Sequence, residues 1–95
     1  MNRNIREEIE KALCSISTFR ILGEMAKNPS KAYTKYLLCK NTFLNFRDVS
    51  NALKKLIEIG WIEEIYLDDI KLYKLNLNNF KVKVLIKFLR EINYI

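Results

Sequence analysis

The chain has 95 residues, of which 49% are hydrophobic and 29% charged, with two glycines, one proline and a formal net charge of +6. That length supports one domain and that composition supports a folded core, so neither a second domain nor a disordered chain is expected. There is no histidine, which removes the usual neutral-pH general base and the commonest metal ligand, and Gly23 and Gly60 stand too far apart for a phosphate-cradling loop.

In chain order, Ile5, Ile9, Ala12, Leu13 and Ile16 recur at helical spacing and predict an amphipathic helix over about 3–14. Glu7, Glu8 and Glu10 in that stretch exclude a signal peptide, and no apolar run approaches the length of a membrane span. Ser15 or Ser17 caps a second helix carrying Phe19, Ile21, Leu22, Met25 and Ala26. It ends before Asn28-Pro29, because proline disfavours helical geometry in the residue before it. Ala32-Tyr33 reads as a short extended piece. Thr34 caps a short third helix through Lys40, with Leu37 and Leu38 facing inward, and residues 41–44 form a turn. Asn45 and Asp48 have the spacing of a capping box for a fourth helix over 46–59. Val49, Ala52, Leu53, Leu56, Ile57 and Ile59 line one of its faces, and Gly60 is its terminator. Residues 61–67 and 70–76 flank Asp68-Asp69 as a β-hairpin, with Trp61 and Tyr73 assigned to the core. Asn78 or Asn79 caps a closing helix over about 79–93. The fold class is therefore mainly α with a small β-hairpin, an α+β single domain over 1–95.

Cys14 and Cys39 lie 25 residues apart without a CxxC pair, so no metal site is expected. Their apolar neighbours suit buried free thiols in a reducing cytoplasm, with a bridge within or between chains as the alternative. No nucleophile–base pair and no metal set can be assembled, so an enzyme is not expected. No cofactor or small-molecule ligand is implied, and neither is membrane insertion.

Three features together carry a resemblance. They are a short helix and turn feeding a capped helix, the stretch Val49-Ser50-Asn51-Ala52-Leu53-Lys54-Lys55-Leu56 with Gly60-Trp61-Ile62, and a hairpin ending in Lys71-Leu72-Tyr73-Lys74-Leu75. Residues 17–76 resemble the winged helix-turn-helix domain of bacterial and archaeal transcription regulators, with the outer helices as flanking additions. The abundance of Ile, Lys and Asn is similar to that of small regulators of archaea and their viruses and plasmids. The resemblance implies a double-stranded DNA partner, the helix over 46–59 as the recognition helix, and the hairpin as the wing.

The charge distribution points the same way. Residues 27–55 hold seven basic side chains against Asp48 alone, whereas residues 1–26 are neutral and 56–80 net acidic. A positive face of this kind neutralises phosphates. At 100° per residue from Phe46, Arg47, Asn51 and Lys54 fall at about 100°, 140° and 80° and Ser50 at about 40°, away from Val49, Leu53 and Leu56. Arg47 can pair with guanine, Asn51 with adenine, and Ser50 with a base or a phosphate. Thr34, Lys35, Asn45, Lys54 and Lys55 are assigned to phosphates, Thr34 and Lys35 through the start of the third helix. Phe46 is expected to pack against the preceding turn, and Glu58 to mark where the helix leaves the groove. The acidic hairpin tip repels phosphate, leaving Lys71 and Lys74 as the wing's only candidate contacts.

The closing helix carries two apolar stripes, too wide for one buried face. Val84, Leu85, Phe88, Leu89, Ile92 and Ile95 are assigned to a homodimer interface, the N-terminal helix covering the second stripe within one chain being the alternative. The leading expectation is a sequence-specific regulator. A nucleoid protein without sequence preference and a protein-binding winged helix are the alternatives.

Overall fold

In a computed structural model, which describes residues 3–95, side-chain caps decide where most helices begin. The elements are α1 (Arg3–Ala12), α2 (Ile16–Ala26), α3 (Lys35–Thr42), α4 (Phe46–Glu58), β1 (Ile62–Leu67), β2 (Ile70–Leu75) and α5 (Phe80–Glu91). Ser15, Thr34, Asn45 and Asn79 each accept a hydrogen bond from a backbone N–H of the first helical turn, which would otherwise lack a partner. Of the paired candidates, the caps are thus Ser15 rather than Ser17, and Asn79 rather than Asn78.

β1 and β2 pair antiparallel from Ile62 opposite Leu75 to Leu67 opposite Ile70. Asp68, at the two-residue tip, takes a left-handed φ of 56°. The extended piece at residue 33 joins this sheet: Tyr33 and Tyr73 exchange both backbone hydrogen bonds at 2.8 and 2.7 Å. Each ring is nearly inaccessible, so the bridge fastens the entry to α3 against the base of the hairpin. One core results, from Ile21, Leu22 and Met25 of α2, Leu38 of α3, Val49, Leu53 and Leu56 of α4, Trp61 and Leu75 of the hairpin, and Val82 and Leu89 of α5.

Four expectations are corrected. The first helix ends at Ala12, and Leu13 and Cys14 fall in the turn before the Ser15 cap. Cys14 is consequently exposed, not buried; Cys39 is half-buried, and both thiols are free. The third helix runs two residues beyond Lys40, because Thr42 is buried and its hydroxyl donates to the Leu38 carbonyl. Phe43 then reverses the chain at φ 60°. Finally, Phe46 does not pack against that turn: it is 62% exposed and sits at the outer edge of α4.

Candidate nucleic-acid interface

α4 is fixed at both ends and along one side. Asn45 Oδ1 accepts from the Asp48 N–H at 2.7 Å, Gly60 closes the far end at φ 80°, and Val49, Ala52, Leu53 and Leu56 are buried. Arg47, Asn51 and Lys54 are exposed on the opposite face, as their angles require. Lys55 is exposed too, but is drawn toward the α1–α2 turn, where its Nζ lies 3.6 Å from Cys14 Sγ. Ser50 departs from the outward group. It is half-buried, and its Oγ is enclosed without a hydrogen-bond partner. Glu58 is bridged to Lys11 of α1 at 3.1 Å, so the acidic end of α4 is neutralised within the chain.

The phosphate candidates divide by what already holds them. Thr34 Oγ1 accepts from the Leu37 N–H at 3.1 Å, and the Asn45 side chain is likewise engaged as a cap, so each has a structural duty besides any contact outside the chain. The Lys35 ammonium lies over two aromatic faces, 5.2 Å from the Phe46 ring centre and 5.9 Å from that of Tyr73. Among the described residues, Lys27 is the only one of the seven basic side chains in 27–55 that forms an ion pair, with Glu24 at 3.2 Å. The positive charge of this segment is therefore left almost whole.

The hairpin is differently committed. Lys71 bridges to Glu64 at 3.6 Å and lies over the Tyr66 ring at 5.5 Å. A hydrogen bond with Tyr66 and the Glu64 carboxylate hold its ammonium above the ordinary lysine range. Lys74 is half-buried opposite Glu63 in the strand register. Tyr66, Leu67 and Ile70 are exposed beside Asp68 and Asp69, giving the tip an acidic and apolar surface.

Two aromatic residues that the sequence did not single out are exposed on and just after α3. Tyr36, at the start of α3, is exposed, and Phe43, in the turn before α4, is 91% exposed. Helical spacing gave no signal for Phe43, since its exposure follows from the left-handed turn.

The proposed interface residues of α5 and of the segment after it separate into three groups. Leu89 is buried in the chain's own core, and Leu85 and Ile95 pack partly against it. Val84 and Phe88 of the second stripe and Ile92 of the first are 49%, 51% and 52% exposed, so the described residues cover the second stripe only at Ile95. Ile5 and Leu13, on and just after α1, also remain exposed. Among the described residues no group of three or more Cys, Asp or Glu is placed to hold a metal ion, and no helix is long and apolar enough to cross a membrane.

No protein-family model matches the chain, and no characterised protein matches it in sequence. Solved structures do match. HlyU from Vibrio cholerae N16961 is similar over 97% of each chain, with a TM-score of 0.77 and 20% identity. A transcriptional regulator from E. coli, described as DNA-binding by prediction, covers 94% of this chain and 90% of its own, with a TM-score of 0.75 and 20% identity. The homodimeric winged helix-turn-helix DNA-binding domain of Mb0332 from Mycobacterium bovis, a possible ArsR-family transcriptional regulator, covers 95% of this chain and 82% of its own, with a TM-score of 0.70 and 16% identity. At such identities the likeness is one of fold, and the fold is that of a winged helix.

Proposed function

We propose that this chain is a sequence-specific regulator of transcription that binds double-stranded DNA as a homodimer, with α4 in the major groove. The observation that carries the reading is the coincidence, in a winged helix fold, of a capped and exposed α4 face with a segment whose cations are almost all free of carboxylates. An α-helix fits the major groove, and its N-terminal half approaches base edges most closely. Arg47 then reads guanine and Asn51 adenine, each discriminating by about 1–3 kcal/mol. Lys54 and Lys55 contact the backbone, as does the start of α3 through Thr34 and Lys35. Some of the similar structures support the reading: the E. coli protein is described as a predicted DNA-binding transcriptional regulator and the Mycobacterium bovis domain as homodimeric and a possible transcriptional regulator. Here the half-exposed stripe of Val84, Phe88 and Ile92 meets its twofold mate, which sets two α4 helices against successive turns of one groove.

The test is selection of binding sites from random duplexes, followed by competition at a stated salt concentration. A pseudo-palindromic site preferred by about 10³-fold or more is expected of a regulator. A flat profile points to a nucleoid protein instead. Unchanged affinity in a variant with Arg47→Ala and Lys54→Ala points to a protein partner for α4.

A further inference from the structure

A cleft of about 320 Å³ lies between the start of α3, the inner flank of α4 and the base of the hairpin. Its walls include Lys35, Ser50, Asn51, Lys54, Glu64 and Tyr73. Ser50 Oγ is the one side-chain nitrogen or oxygen among the described residues that is buried without a hydrogen-bond partner. Buried hydroxyls are almost always paired, and a helical serine that finds nothing else usually donates to the carbonyl four residues earlier. Ser50 does neither. A single side-chain torsion lets its hydroxyl turn toward the cleft it lines.

The cations of the cleft are equally uncommitted. Neither Lys35 nor Lys54 forms an ion pair among the described residues. Lys35 is held at one wall by the faces of Phe46 and Tyr73, which position an ammonium without neutralising it. Glu64, the one carboxylate on these walls, is bridged by Lys71. The cleft therefore offers a hydroxyl donor and two ammonium groups, with its single negative charge already compensated.

We infer that this cleft seats one phosphate-class oxyanion, with Ser50 as its hydroxyl donor and Lys35 and Lys54 as its cations, and that the anion is a backbone phosphate of the bound duplex. The inference rests on the DNA-binding reading and refines it, because Ser50 becomes a phosphate ligand and base reading is left to Arg47 and Asn51. The source follows from Asn51, which lines the cleft and is exposed on the outward face of α4, so a strand lying along that face passes the cleft mouth.

The first measurement compares Ser50→Ala and Lys35→Gln with the wild type on a selected duplex and a random one. Ser50→Ala is expected to weaken both by the same factor, about tenfold, with base preferences unchanged, since the lost bond goes to a charged acceptor. Its melting temperature should not fall, because no native hydrogen bond is removed. Lys35→Gln is expected to lower the salt slope of binding by about one. A change of preference at one base position on Ser50→Ala, or affinity that does not move, overturns the inference. The second measurement titrates inorganic phosphate into the DNA-free protein and follows backbone amide resonances. Shifts centred on Lys35, Ser50 and Asn51 that competing duplex abolishes support the inference. Phosphate that instead displaces duplex at low concentration overturns the assigned source in favour of a free anion. A wild type without affinity for any duplex sinks the DNA-binding reading, and the phosphate titration alone then decides the cleft, with unperturbed amides counting against it.

Discussion

Gly60 and Gly23 are the chain's two glycines, and they are required for opposite reasons. Gly60 turns the chain from α4 into β1 at φ 80°, and a Cβ added there would meet nothing within 4 Å. Its constraint is purely conformational, so Gly60→Ala is expected to cost about 1–2 kcal/mol, read as a lower urea midpoint at unchanged m-value. Gly23 lies inside α2, where alanine would favour the helix, but a Cβ there would meet the Tyr94 ring. That ring stacks edge-on against Phe19 at a centroid distance of 4.9 Å. The role of Gly60 was legible in the sequence, because a helix stop leaves a local signature. That of Gly23 was not, because its partner comes from the far end of the chain. The same distinction runs through the candidate site. Arg47, Asn51 and Lys54 follow from angles around one helix, whereas the enclosure of Ser50 depends on α3 and the hairpin, which no helical wheel contains.

Among the elements, α1 joins the core through Ala12 and Ile9 and adds polar contacts to the rest of the domain. Glu8 accepts from Lys81 Nζ at 2.7 Å and from the Trp61 indole N–H at 2.6 Å, and Lys11 reaches Glu58. Burial alone would push the Glu8 carboxyl up, but the hydrogen bonds from Lys81 and Trp61 outweigh it and hold its pKa below the usual carboxylate value. A carboxyl more acidic in the folded state stabilises that state above its unfolded pKa, and the contribution fades as pH falls through the folded value. Glu8→Gln is therefore expected to cost about 1–2 kcal/mol at pH 7, and the gap from wild type to close below the ordinary glutamate pKa of about 4.3. Thermal melts of both proteins across that range check it. Periodicity exposed the apolar face of α1 but could not show that an acidic residue on its flank would find the base of the hairpin and the start of α5. At the other side of the molecule, Asp68 and Asp69 keep the hairpin tip unattractive to phosphate. Replacing both by lysine is expected to strengthen duplex binding and steepen its salt slope by about one to two, measured by titration at several salt concentrations.

At the scale of the whole molecule, the most basic segment and the half-exposed row of Val84, Phe88 and Ile92 lie on different elements. Six of the seven cations of 27–55 are exposed, while Val84, Phe88 and Ile92 keep about half of their surface in water. Self-association through α5 predicts that Phe88→Glu gives a monomer by sedimentation equilibrium at tens of micromolar protein. Because the site would lose its twofold partner, affinity for a selected palindrome should fall by about 10²-fold or more, while binding to a half-site is unchanged. A wild type that is already monomeric at those concentrations removes the proposed homodimer. The winged helix fold itself was legible because caps, helix stops and the hairpin all have local signatures. The division of α5 was only half legible. Spacing revealed two apolar stripes, but Leu89 turned inward into a core shared with α2 and α4, and this depends on packing between distant segments.

The hydrogen bond from Trp61 to Glu8 gives the molecule an intrinsic optical gauge. Trp61 is the sole tryptophan, so fluorescence excited at its absorption edge arises from one indole, seated where α1 meets the hairpin. Undocking of α1 would admit water to that indole and shift its emission to the red without a label. Events at the exposed face of α4 would be sensed only if they reach across the core. Emission that moves on addition of duplex would thus register mechanical coupling between the two sides of the domain, and steady emission would describe a scaffold that binds without flexing.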